Sequence, residues 1–282
     1  MINTVIWLRI HMQTFEPSLA ELERIANSAR GPNKAQVLEK NCSLVQVLAA
    51  RRSIRIQENG EPLKPIPIDL FSFEDPHLYV KAGAPYSAAS PYFLRQGVLA
   101  RLIKAQQELE HEMSGHRFKI IDGFRPQAVQ IYMRKFDHDK YAREAGLDPN
   151  NLTADQDREM WDKVNLLWAT PSTDSLEPPP PHSTGAALDL TIVDTSGREL
   201  NMGSGFDEPT ARILPSYYDS QKDFESFTIY ENRELLNRVM TSAGFHRLTH
   251  EWWHFSYGDQ MWALLESLKT GRKTPAIYGE VK

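Results

Sequence analysis

Four consecutive prolines at positions 178–181 run directly into His182, and residues 187–193 then form a stretch that is apolar or β-branched except for one carboxylate, Asp189. Proline fixes φ and removes a backbone donor, so the proline run is extended and rigid, and it limits where His182 can point. The stretch after it reads as a buried strand. A carboxylate in such a strand is costly unless a cation or a metal pairs it, which makes Asp189 a candidate ligand.

A second segment carries the complementary groups. His250-Glu251-Trp252-Trp253-His254 satisfies the H-E-x-x-H pattern of helical zinc proteases. Catalytic zinc needs about three His, Asp or Glu ligands, one open position for water and a carboxylate that can take the water's proton. Two arrangements meet that demand. In the helical one, His250 and His254 bind one turn apart, Glu251 is the base and Glu266 is the third ligand. The flanks oppose it: Phe245, Thr249, Trp252, Trp253, Phe255 and Tyr257 are strand-forming types, and Gly244 and Gly258 bracket them. In the other arrangement His182, Asp189 and His254 bind the metal and Glu251 stays free as general base. That set is the better supported, and His250 is then a bystander, as are His11, His77, His111, His116, His138 and His246.

The remaining pattern mixes helices and strands without strict alternation, which predicts an α+β domain: a central, mostly antiparallel sheet flanked by helices, with an N-terminal helical extension. A capping box at Ser18 opens a helix over 18–29, and a second helical stretch covers 35–50. Residues 53–57 read as a short strand and 62–67 as an extended connection. Ser90 and Pro91 set the start of a helix to residue 112, with Leu94, Val98, Leu99, Leu102, Ile103 and Leu109 as its buried stripe. Strand 118–121 ends in Asp122-Gly123-Phe124-Arg125-Pro126, so Arg125 lies at a strand-to-helix turn before a helix to residue 136. Further helices are expected over 153–168, 231–243 and 259–268. The division is 1–60 for the extension and 61–282 for the catalytic domain.

Composition removes other classes. With 282 residues, a formal charge of -5 and no long blocks of one sign, the chain offers no nucleic-acid surface. No apolar run approaches the roughly 18 residues of a membrane span. The single cysteine, Cys42, allows neither an internal disulfide nor a cysteine-rich zinc site and reads as an inert buried thiol. Residues 1–11 lack the charged and apolar regions of an export signal, which leads to the expectation of a cytoplasmic protein.

His182-x-x-Gly185-x-Ala187-x-Asp189, Glu251-Trp252-Trp253-His254 and Gly123-Phe124-Arg125-Pro126 resemble the three signature blocks of the D-alanyl-D-alanine dipeptidase family, the VanX-like zinc peptidases of peptidase family M15. Residues 201–207, ending in Phe206-Asp207, resemble a fourth. The resemblance spans about 62–257 and implies one Zn2+ per chain on His182, Asp189 and His254. It also implies Glu251 as general base, Arg125 as the group that stabilises the oxyanion, and a small D-Ala-D-Ala dipeptide as substrate. By the same resemblance Asp207 is the candidate partner of the substrate ammonium, with Tyr86 as a second. Where the family carries a serine two residues before the first histidine, this chain has Pro180, which can donate no hydrogen bond. That departure keeps a D,D-carboxypeptidase or endopeptidase acting on cell-wall peptides as an alternative. A non-catalytic zinc-binding module of the same fold is a second, opposed by the presence of both Glu251 and Arg125. Oligomeric state is open.

Overall fold

The computed structural model describes residues 19–27, 38–39, 41–42, 44–86, 91–165, 167–171, 178–206, 208, 210–221 and 223–282. In chain order the elements are α1 (Leu19–Ala26), α2 (Leu44–Ala50), β1 (Leu63–Pro65), β2 (Ser72–Phe73), α3 (Leu78–Lys81), β3 (Phe93–Arg95), α4 (Gln96–Glu112), β4 (Arg117–Asp122), α5 (Gln127–Glu144) and α6 (Ala154–Val164). After a 3₁₀ turn at Pro181–Thr184 come β5 (Ala187–Val193), α7 (Phe224–Ser242), β6 (His246–Arg247), β7 (His254–Ser256) and α8 (Gln260–Thr270). The fold is α+β, as the mixed pattern predicts.

A five-stranded sheet in the order β2-β4-β5-β7-β6 forms the centre, and only its β2–β4 pair is parallel. The central strand β5 is buried along its whole length, which explains its near-continuous apolar sequence. Leu188, Leu190 and Ile192 join Val98, Leu102 and Phe118 in the main core, leaving Asp189 on the opposite face, since successive strand residues alternate. Helix α4 packs against α7, and α5 against α6. Among the described residues no helix is long and apolar enough to cross a membrane.

Several expected boundaries shift for identifiable reasons. Residues 93–95 pair antiparallel with β1 instead of opening a helix, so α4 starts at Gln96 and Leu94 is a buried strand residue. That same pairing turns the proline-spaced connection at 62–67 into a strand; Pro65 sits at its end, where a missing N–H is tolerated. The expected strand at 53–57 reduces to a single bridge between Ile56 and Ala276, and residues 51–53 form a 3₁₀ turn instead. Helix α5 runs on to Glu144, past the expected end at 136, and α7 begins at Phe224, where Asp223 caps the Ser226 amide. The Thr153–Gln156 capping box is present with both hydrogen bonds, although α6 stops at Val164.

A second apolar cluster joins residues of the 22–54 segment to residues 248–276. Leu22, Ala26, Leu38, Cys42, Val47 and Ala50 pack with Leu248, Met261, Leu264 and Leu268. Cys42 is buried, and burial pushes its thiol up to about 11, consistent with an inert side chain.

Candidate active site

The site is set by the register of three strands. Asp189 on β5 lies opposite His254 on β7, so the two side chains share a face. On the other side, β4 pairs Ile120 with Leu190 and then Asp122 with Asp189, which leaves Ile121 as a bulge. The extra residue moves Asp122 to the Asp189 face, away from the core face that holds Ile120. His182 arrives from the 3₁₀ turn after the prolines, held because the Arg125 amide donates to its carbonyl at 3.1 Å. Two glycines make this closeness possible. A Cβ on Gly123 would sit 2.7 Å from the Pro91 carbonyl, and Gly185 has φ +69° with Leu63 against it.

One ligand atom from each of His182, Asp189 and His254 lies within 4.8 Å of the others, and all three residues are buried. The hydrogen bonds assign the tautomer of His182. Its Nδ1 is 2.8 Å from the Gly123 carbonyl, which can only accept, so Nδ1 carries the proton and the Nε2 lone pair faces the cluster. His182 Nε2 lies 3.3 Å from an Asp189 oxygen and 3.1 Å from His254 Nδ1; His254 Nδ1 lies 3.0 Å from the other Asp189 oxygen. On the far side of the His254 ring, Nε2 faces the Ser256 hydroxyl at 3.4 Å. Two imidazole nitrogens and a carboxylate converging on one point form a donor set that suits zinc. Glu251, also buried, brings an oxygen to 3.8 Å from His254 Nδ1.

Arg125 stands beside these groups as the cation of a buried network. Its guanidinium pairs with Asp122 at 2.6 Å and reaches Asp189 at 3.7 Å. It also donates to Gln130 Oε1 at 2.8 Å and to the Tyr79 hydroxyl at 3.2 Å, and it lies over the Tyr79 and Trp168 rings. Gln130 is oriented in turn by donating to the Ala169 carbonyl. Burial alone would raise both aspartates, but Arg125 and His77 around Asp122, and His182 and His254 around Asp189, hold both carboxyls well below the usual range. Burial likewise opposes the charge on Arg125, yet Tyr79, Asp122 and Asp189 raise its pKa further.

The cleft over these groups has a volume of about 40 Å³, and Arg125, His182, Asp189, Glu251, Trp253 and His254 all line it. The helical arrangement of the second motif is absent: His254 is on β7, His250 and Glu251 are in the turn before it, and Glu266 bonds His246 at 2.7 Å instead. His250 faces away from the cluster, with Nε2 donating to the Cys42 carbonyl at 2.8 Å and Nδ1 accepting from Thr249 at 2.6 Å. The Tyr86 hydroxyl is 3.5 Å from Asp122, and Tyr86 is not among the residues lining the cleft. Burial, and then Asp122, raise its pKa. Asp207 lies outside the described residues.

Sequence reading missed Asp122, Gln130, Tyr79 and Leu48. Asp122 had a signal in its place three residues before Arg125 at a strand end. The others had none, because only tertiary packing brings them to the cleft.

Comparison with known proteins gives the family of the chain. Residues 74–268 match the model of the peptidase M15 family, described as D-ala-D-ala dipeptidase. The chain belongs to that family. It is a peptidase, and its similarity to one relative covers most of its length: it is 42% identical to a D-alanyl-D-alanine dipeptidase of Synechocystis sp., over 82% of this chain and 96% of the relative. It is also 45% identical to a D-alanyl-D-alanine dipeptidase of Escherichia coli, over 26% of this chain and 36% of that one. A third, from Enterococcus faecium, is 30% identical over 52% of this chain and 64% of the relative.

Proposed function

We propose that the chain hydrolyses D-Ala-D-Ala with one zinc ion held by His182 Nε2, the Asp189 carboxylate and His254 Nδ1. The observation that carries this reading is the convergence of those three buried ligand atoms within 4.8 Å of one another, with Glu251 beside them. Zinc at such a site supplies Lewis acidity and brings the pKa of bound water to about 7. Glu251 acts as general base: it accepts the proton of the attacking water and delivers it to the leaving amine. Arg125, fixed by Asp122 and Gln130, presents its remaining hydrogen-bonding capacity to the oxyanion that develops on the scissile carbonyl. Asp122 keeps that guanidinium in place, and Gly123 keeps the His182 proton on Nδ1. Asp207 is the proposed partner of the substrate ammonium, by resemblance.

In this reading residues 61–282 carry the chemistry, residues 1–60 are an N-terminal extension, and the enzyme works in the cytoplasm on a free dipeptide. A second reading, a D,D-carboxypeptidase or endopeptidase, is favoured by one observation: Pro180, at the cleft wall, offers no donor to a substrate carboxylate.

The test is direct. Purified protein should contain about one zinc per chain and release D-alanine from D-Ala-D-Ala, and a chelator should abolish that activity. Glu251→Gln should keep its zinc and lose on the order of 10²- to 10⁴-fold in kcat. Release of D-alanine from a pentapeptide but not from the dipeptide would favour the second reading. An active Glu251→Gln enzyme would end the proposed mechanism.

A further inference from the structure

The cleft wall includes one residue from far outside the matched region. Leu48, on helix α2, lines the cleft beside Arg125, Trp168 and Glu251, whereas the family match begins at residue 74. The segment that delivers it is tied to both sides of the site. Towards the Glu251 turn, His250 donates to the Cys42 carbonyl at 2.8 Å. Towards His182, Arg51 donates through Nη1 to the Pro179 carbonyl at 3.2 Å, while its Nε holds the Leu48 carbonyl at 3.0 Å. Beneath, Gln260 donates to the carbonyls of Arg51 and Ile54 at 3.2 and 2.7 Å, and Val47 and Ala50 pack with Met261 and Leu264. A helix clamped at both ends gives its side chain a fixed place, so Leu48 is a rigid part of the wall.

Selectivity for a free dipeptide has two physical routes: hydrogen bonds to the terminal groups, or a surface that leaves no room for anything larger. Pro180 removes a donor from the first route. We propose that Leu48 supplies the second, as a specificity-determining residue that confines the cleft to dipeptides with small side chains. This rests on the dipeptidase reading above. The cleft is narrow, so the loss of three side-chain carbons from its wall changes it substantially. One methylene in an apolar pocket discriminates by roughly 10- to 200-fold.

The experiment compares wild type, Leu48→Ala and Leu48→Met on D-Ala-D-Ala, D-Ala-D-Leu and D-Ala-D-Phe. In Leu48→Ala the ratio of kcat/KM for the bulky dipeptides to that for D-Ala-D-Ala should rise at least about tenfold. Leu48→Met, which keeps the volume, should retain the wild-type ratio. An unchanged ratio in a folded Leu48→Ala enzyme overturns the proposal. If wild type turns over none of these dipeptides, the dipeptidase reading fails by itself, and the wall is judged from the rate at which 1,10-phenanthroline extracts zinc from the purified proteins. Faster extraction from Leu48→Ala by about tenfold supports a wall at Leu48, and equal rates sink it.

Discussion

Asp122 and Asp189 in the central sheet and Glu39 in the N-terminal segment are all buried carboxylates, yet their surroundings drive them in opposite directions. The two aspartates share a face of the sheet, with Arg125 and His77 against Asp122 and His182 and His254 against Asp189, and those partners outweigh the cost of burial and keep both anionic. Glu39 accepts a hydrogen bond from Ser216, with Arg247 as a lesser electrostatic partner, and burial wins: its pKa is pushed up from 4.5 to about 7. Burial alone therefore does not decide ionisation; the number and closeness of the cations decide whether it prevails. The sheet region is a charged network complete in itself, and the N-terminal contact is a nearly neutral joint whose charge changes near physiological pH.

The largest effect should come from the two histidines that flank Glu251, His254 on β7 in the sheet region and His250 bonded to the N-terminal segment. His254→Ala should lose stoichiometric zinc and fall to the activity of chelated enzyme. His250→Ala should keep its zinc, because His250 bonds the Cys42 carbonyl and the Thr249 hydroxyl and not the cluster. Its cost should appear instead as about 1–3 kcal/mol of stability, from the buried groups left without a partner. Metal analysis and denaturant titration of both variants check this, and zinc loss in His250→Ala would break the division.

Next in size is the cation of the sheet network. Arg125→Lys keeps the charge but loses the planar fork that serves Asp122 and Gln130 together. We expect kcat to fall on the order of 10²- to 10³-fold with zinc content unchanged. A near-normal kcat would make Arg125 a structural cation and nothing more.

The smallest effect tests the N-terminal joint. Because the folded protein binds a proton at Glu39 more tightly than the unfolded chain does, this group's stabilisation is full below pH 4.5 and declines as pH rises through about 7. The total is at most on the order of 3 kcal/mol. Glu39→Gln cannot ionise, so its unfolding free energy should lack that component of the decline between pH 5 and pH 8. Parallel pH profiles for the two proteins would show that Glu39 is not held neutral.

The cluster of His182 and Asp189 and the strand that carries Asp189 were legible in the sequence because a carboxylate in an apolar strand and an imidazole after a proline run each contradict their local context. The α+β class followed from the mixture of periodicities. Arg125 was legible only as a turn residue until the resemblance gave it a role, since the partners that fix it come from α3, α5 and β4. Leu48 was invisible for a different reason: nothing in its helical neighbourhood sets it apart from a core leucine, and its exposure to the cleft depends on Arg51 and His250 meeting carbonyls far away in sequence. Helix starts failed where pairing competed, as at residues 93–95, whose ladder with β1 overrode a good capping sequence.

The bulge at Ile121 makes the register of the sheet a condition for the buried network around Arg125. Sliding β4 by one residue would return Asp122 to the core face and leave Arg125 without its anchor. Sliding β7 by one would turn His254 away from Asp189. The second error dismantles the His182, Asp189 and His254 cluster while leaving most backbone hydrogen bonds satisfied, so a misaligned sheet could look folded by its secondary structure and still lack the cluster. Uptake of the proposed zinc during refolding would then serve as a vernier on the alignment of β5 with β7, reading single-residue slips that circular dichroism does not see.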